Sequence, residues 1–304
     1  MSHFKERFPI RLTQTLTEES SIHECVFEGF VWSGSGGGAY VDGKFKLSVS
    51  GSTFLACESG LNGGGLCVGT TESNSRRNTF VSCRCSQWGF GLFQASHTSN
   101  THNLSSCLLC CYKEINGECY ATIIQKNGLS MMKEVNGSHL SSVGRECGYH
   151  HHNGPSSHVI FLTFTSCSGP YVSSFHCIEV PMQVQENVCT INSSVKISVI
   201  VLYTGLHSGK NFIVTETKQF IARDRIHSGS INFHESIFGG SPITASWLAT
   251  TDCSFSYDRE LLNQKFGDRL ICFHQATSLF TLTDFGTRLV SIIVYSVSIL
   301  VITM

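Results

Sequence analysis

Cysteine and histidine supply most of the reactive side chains of this chain, which holds 15 cysteines and 14 histidines in 304 residues. Thiolate metal sites draw on pairs with roughly two to four intervening residues. Cys107-Leu-Leu-Cys110 has that spacing, but no second such pair accompanies it, and Cys83/Cys85 and Cys110/Cys111 are the other close pairs. Cys57, Cys83 and Cys107 recur at a similar spacing, so they are expected at equivalent positions of a repeated unit. Interlocking disulfides, a thiolate metal site and a ladder of buried thiols are the three readings. Buried free cysteine behaves as a small hydrophobe, and the apolar ladder is the one expected. An odd cysteine count rules out complete intramolecular pairing.

Cys147-Gly-Tyr-His150-His151-His152 is the second candidate, because consecutive histidines near a cysteine suit a transition metal. Neighbouring side chains of an extended segment point to opposite faces, so only His150 and His152 converge. Asn153-Gly154-Pro155 marks a turn, and a solvated loop is the expected setting. Carboxylates offer less. Glycoside hydrolysis takes two acid groups flanking the scissile bond, whereas Asp42, Asp224, Asp252, Asp258, Asp268 and Asp284 are scattered. Arg223-Asp224-Arg225-Ile-His227-Ser-Gly229 is the richest polar stretch and reads as a surface turn. Gly36-Gly37-Gly38 lacks the Lys-Ser/Thr that follows in a phosphate-binding loop. The sequons at Asn103, Asn136 and Asn192 matter only on a secretory route. No catalytic, cofactor-binding or metal-ligating residue is assigned, and no cofactor is expected.

The elements that carry these residues follow from composition and repetition. Lys+Arg 21 against Asp+Glu 22 leaves a net charge of −1, with no basic footprint for nucleic acid. Charged residues make up 14%, well below the roughly 25% of soluble domains. With 41% hydrophobic residues and five prolines, wholesale disorder is excluded. Gly37-Gly-Ala-Tyr-Val41 recurs as Gly64-Gly-Leu-Cys-Val68 and, loosely, as Phe90-Gly-Leu-Phe-Gln94. Gly38, Gly65, Gly91, Gly117 and Gly144 keep a common beat of about 26 residues. A second marker keeps the same beat: Phe54-x-x-Cys57, Phe80-x-x-Cys83, Leu104-x-x-Cys107 and later Phe164-x-x-Cys167, opened by Cys25-Val-Phe27.

Helical and leucine-rich repeats would show periodicities that are missing here. Each unit instead holds short alternating runs such as Lys44–Ser50, with Phe45, Leu47 and Val49 on one face. A coil of about 26 residues fits a parallel β-helix, whose rungs stack about 4.8 Å apart. Identical side chains then stack in columns.

The GGA[Y] and Phe-x-x-Cys elements resemble the GGA[I/Y] and F-x-x-N repeats of polymorphic outer membrane proteins, within the pectin-lyase-like superfamily. The resemblance covers residues 22–110 best and fades through 180. It departs at the Asn position, where Cys57, Cys83, Cys107 and Cys167 stand. It implies a surface or adhesive protein with no catalytic residue to carry over.

The expected fold is thus all-β, a single-stranded right-handed parallel β-helix over residues 21–285, less regular after 180. Residues 1–20 are read as a cap or irregular segment. Leu289–Met304 is uncharged and follows Arg288, and it is expected to be a short C-terminal membrane segment. A pair of buried strands is the competing reading, given its Val and Ile content. No secretory signal is recognisable at the N-terminus, so the side of the membrane stays open. The expected function is a non-enzymatic, membrane-attached interaction protein for a protein or glycan ligand. The alternative is a polysaccharide-processing lyase or glycoside hydrolase on the same scaffold.

Overall fold

The computed structural model describes residues 2–4, 11–108, 110–112, 121–142, 147–169, 172–178, 180–191, 194–195, 198–202, 205–215, 221–223, 230–239 and 246–255. Leu289–Met304, Gly117 and Gly144 lie outside them. The described residues are all-β, without a helix, and every strand pairing is parallel. They form a β-solenoid.

One coil shows how sequence sets the path. Ala39–Gly43 lies in a nine-stranded sheet, Lys46–Ser50 and Thr53–Leu55 in a sixteen-stranded sheet, and Glu58–Ser59 in a four-stranded one. A glycine-rich corner then returns the chain to Leu66–Gly69, directly above Ala39–Gly43. Leu47 and Val49 face inward, as alternation requires, but Phe45 is 40% exposed. It precedes the strand, in the turn after Gly43, so the alternating pattern begins two positions later than expected.

Ala39, Leu66 and Leu92 are successive register partners on neighbouring rungs. Leu92 then pairs with Ile123 across a longer coil, before Tyr149 restores the earlier length. The glycine beat therefore breaks after Gly91. The N–H of Gly38 donates to Gly65 O and that of Gly65 to Gly91 O, but that of Gly91 donates to Thr122 O. Thr122 and Gly148, not Gly117 and Gly144, continue the column. Further on the coils shorten. Gln183, His207, Ile231 and Leu248 are successive partners, and the step from Ile231 to Leu248 is the shortest of them. That shortening is why the markers fade.

Two corners repeat with the same backbone. Glu24, Gly51, Arg77, Asn211 and Glu235 have positive φ at the bend between two strands of the sixteen-stranded sheet, and Glu134, Phe161 and Asn187 have it inside the longer strands Leu129–Ser138, Ser156–Thr165 and Met182–Ile191. Gly29, Ala56, Ser82, His139 and Ser166 do the same at the next bend. A single left-handed residue turns the chain sharply without interrupting the ladders on either side. At the first bend Asn78 caps the neighbouring rung: its Oδ1 accepts from Ser52 N at 2.9 Å, and its Nδ2 donates to Val49 O at 3.0 Å.

The core explains why two markers share one period. Phe27, Phe54 and Phe80 stack in register, with ring centroids 4.9 Å apart and planes within 7°. Gly38, Gly65 and Gly91 face this stack from the opposite strand. A Cβ on Gly65 would meet the Phe80 ring at 2.8 Å and Gly91 O at 2.9 Å. The rings fill the space that glycine leaves, so the two residue types recur together.

Candidate functional site

Cysteines form the first cluster of reactive groups. Register puts Cys57, Cys83 and Cys110 on consecutive rungs, since Glu58, Arg84 and Cys111, one residue on, are partners. Cys107 instead sits opposite Phe80, at the phenylalanine position. The expected Cys57–Cys83–Cys107 ladder is thus corrected by one member, because Cys107-Leu-Leu-Cys110 matches Phe80-Val-Ser-Cys83 with cysteine in place of phenylalanine. Cys25 likewise belongs to the bend, where its N–H donates to Ser52 Oγ at 3.2 Å.

Each ladder thiol donates to a carbonyl of the preceding coil: Cys57 to Phe27 O at 3.4 Å, Cys83 to Phe54 O at 3.3 Å and Cys110 to Phe80 O at 3.6 Å. Burial pushes the Cys83 and Cys107 thiols well above their usual range, and neighbouring thiols add to it. Such thiols stay protonated at neutral pH, whereas the hydrogen bond with Cys83 and nearby backbone groups pull the Cys57 thiol down. Cys57, Cys83, Cys107 and Cys167 are buried free thiols.

A polar seam crosses the core. Gln125 Nε2 donates to Gln94 Oε1 at 3.0 Å, Tyr149 OH donates to Gln125 Oε1 at 3.0 Å, and Ser130 Oγ lies 2.6 Å from Tyr149 OH. Ser73 Oγ donates to Asn100 Oδ1 at 3.1 Å. His102 and His151 are fully buried, and burial pushes both imidazoles down to about 3. For His151 the nearby His150 and His152 act in the same direction, against the carbonyls of Asn127 and Gly128. Neither ring nitrogen of His151 closes a well-aligned hydrogen bond. These groups are sealed from solvent and serve the fold.

The outer face of the nine-stranded sheet is different. Tyr40, Cys67, Phe93, Ile124 and His150 occupy one column across five rungs. Ala95, Lys126 and His152 occupy the parallel column two residues on. The His150–His152 segment was expected in a solvated loop. It is the strand Tyr149–His152, with His150 only 3% exposed and His151 turned into the core. Pairing with Ile123–Lys126 outweighs the turn signal, which acts only at Asn153, where φ is 62°.

Trp88, from the loop preceding Leu92–Ala95, lies over this face. Its ring is 6.1 Å from Phe93 and edge-on to His152 at 6.5 Å, and Lys126 Nζ stands 4.7 Å above it. At the other end Arg11 rests on Trp32 at 4.7 Å, and its Nε donates to Gly36 O at 2.5 Å. Tyr40 OH donates to Asp42 Oδ2 at 3.1 Å. Burial raises the Cys67 thiol to about 12, although Ser35 and Arg11 pull it down. Trp88, Phe93 and Lys126 thus cluster on this face, while Arg11 reaches from its edge to Trp32 in the strand Val31–Trp32 of the four-stranded sheet.

Sequence reasoning missed Arg11, Trp32, Trp88 and Lys126 as a group. The available signal was the residue after Gly-Gly-Ala or Gly-Gly-Leu, namely Tyr40 and Cys67, which alternation sends outward. Among the described residues no three His, Cys, Asp or Glu side chains lie close enough to share a metal ion, and no helix is long and apolar enough to cross a membrane. No family model matches the chain, and no curated protein or solved structure is similar to it.

Proposed function

We propose that the chain is a non-enzymatic β-helix scaffold that holds a protein or glycan ligand on the outer face of its nine-stranded sheet. In this reading it is an adhesin-like protein of the polymorphic outer membrane kind, attached to a membrane through Leu289–Met304. The observation that carries the reading is the cluster of Trp88, Phe93 and Lys126 on the outer face of the nine-stranded sheet, with Tyr40 in the same column as Phe93. Flat aromatic planes beside hydrogen-bonding cations recognise sugars and peptides alike. The thiols, the polar seam and the ion pairs Lys46–Glu72 (2.6 Å), Lys133–Glu134 (3.4 Å) and Lys210–Glu235 (3.4 Å) are accounted for by the fold and its exposed rims.

Fractionation of cells expressing the full chain and a 289–304 deletion tests the attachment. The deletion is expected to release the protein, and unchanged membrane association refutes the anchor. Protease shaving of intact cells then reports which side the β-helix faces. Binding is tested on a printed glycan array and on cell-surface protein extracts, with Trp88→Ala beside the unaltered chain. A bound ligand lost in Trp88→Ala supports the reading, and release of new reducing ends or unsaturated sugars overturns it in favour of an enzyme.

A further inference from the structure

We propose that two copies of the chain associate face to face through the outer surface of the sixteen-stranded sheet, about a two-fold axis along the strand Ser156–Thr165, with Lys133 of each copy against Glu186 of the other. The interface lies on a different sheet from the aromatic face and does not depend on what that face holds.

The outward positions of this sheet change character along the solenoid. On the early rungs one column carries Lys46, Glu72 and Ser99, which are successive register partners. Further on the same column carries Leu129, Met182 and Leu206, and the next carries Met131 and Val184. Leu129, Met131, Met182 and Leu206 are exposed, Leu206 to 65%. An apolar patch confined to neighbouring rungs of an otherwise polar face marks a contact surface.

Charge selects the occupant. Lys133, Ile160 and Glu186 are successive register partners, so opposite charges stand one rung either side of Ile160. A half-turn about an axis along Ser156–Thr165 exchanges the rungs on its two sides and keeps the position along the strand. It sets Lys133 against Glu186, Leu129 against Met182 and Met131 against Val184, while Ile160 meets its own copy. The surface is complementary to itself, as an isologous two-fold contact requires. An axis half a rung further on would set Lys133 against Lys210, so charge fixes the register as well. Within one copy Lys133 lies 3.4 Å from Glu134, and Lys210 lies 3.4 Å from Glu235. Such exposed pairs contribute little, and Lys133 remains able to reach across.

From Ser99 to Leu206 the patch spans roughly 24 Å across the rungs and about 17 Å along the strands. Two copies therefore bury on the order of 1,000 Å² in total, the low end of specific interfaces. The dimer is a weak one, and its population depends on concentration.

The test is sedimentation velocity of the full chain across the micromolar range, in a neutral detergent that accommodates Leu289–Met304. A monomer–dimer equilibrium is expected. Lys133→Glu and Glu186→Lys should each weaken it at least about tenfold, because each creates two like-charge pairs. Mixing the two variants should restore the dimer, since both pairs in the mixed species are again opposite in sign. A variant that had merely lost its fold would not be rescued in this way. Met182→Asp, at an exposed position, should weaken the dimer too, and Lys46→Glu, outside the patch, should leave it unchanged. A monomer at every concentration overturns the proposal. So does a dimer that Lys133→Glu and Glu186→Lys form as well as the unaltered chain, or a mixture of the two that stays monomeric.

Discussion

Phe54 shows how one side chain can be over-determined by repetition. Its ring is stacked between Phe27 and Phe80 and faces Gly38 and Gly65 across the core. Phe54→Ala opens a cavity that neither stacked ring can fill without leaving its own rung. It should cost about 3–5 kcal/mol, read as a lower urea midpoint at unchanged slope. The buried histidines make a separate prediction about acid. His102, His151 and His207 titrate near 3 in the fold, because burial disfavours the charged ring, against about 6.5 when unfolded. Between those values the unfolded chain holds more protons, so stability is present above pH 6.5 and is lost as pH falls toward 3. Each histidine contributes up to about 1.4 kcal/mol per pH unit in that window. Urea midpoints from pH 7.5 to 5 should fall steeply, and His102→Leu should flatten the slope. An unchanged slope in that variant would show that other groups carry the acid sensitivity.

The bends carry strain that the strands do not. Ala56 is exposed and has φ of 51°, a conformation that costs a Cβ-bearing residue about 1–2 kcal/mol. Glycine at that position removes the cost and gives back part of it as unfolded-state entropy. Ala56→Gly should therefore stabilise by roughly 0.5 kcal/mol, read as a rise in thermal midpoint; glycine already holds the equivalent bend at Gly29 in the preceding coil. These bends were not legible in the sequence, because Glu24, Arg77, Glu134 and Phe161 share a backbone angle and no chemistry. The strands were legible wherever identical side chains stack: Phe27–Phe54–Phe80 and Gly38–Gly65–Gly91 announced the coil and its length. Cys107 misled for the same reason. Its identity matched the cysteine column, while the strand Ser99–Leu108 fixes it opposite Phe80. The candidate site was less legible still. An outward column varies from Tyr40 to Cys67 to Phe93, each packing against different loop neighbours such as Trp88, and only register shows that those residues and His150 share a face.

At the scale of the molecule, each described coil pairs with the coils before and after it, so their stability is close to a sum of neighbouring interfaces. The stepwise spacing of register partners along the described residues, longer from Leu92 to Ile123 and shorter toward Leu248, has a mechanical meaning. A chain pulled from its ends gives way one loop at a time, because hydrogen bonds between rungs are loaded as a zipper. Each loop of about 26 residues releases about 90 Å of contour length. Force spectroscopy should record a sawtooth with that step, and shorter steps where the coils contract, from His207 to Ile231 and again from Ile231 to Leu248. A single long rupture would show that the coils share load all at once. Under tension, a scaffold built this way acts as a shock absorber: it spends length in small instalments, and each freed loop still has an intact rung on which to rewind.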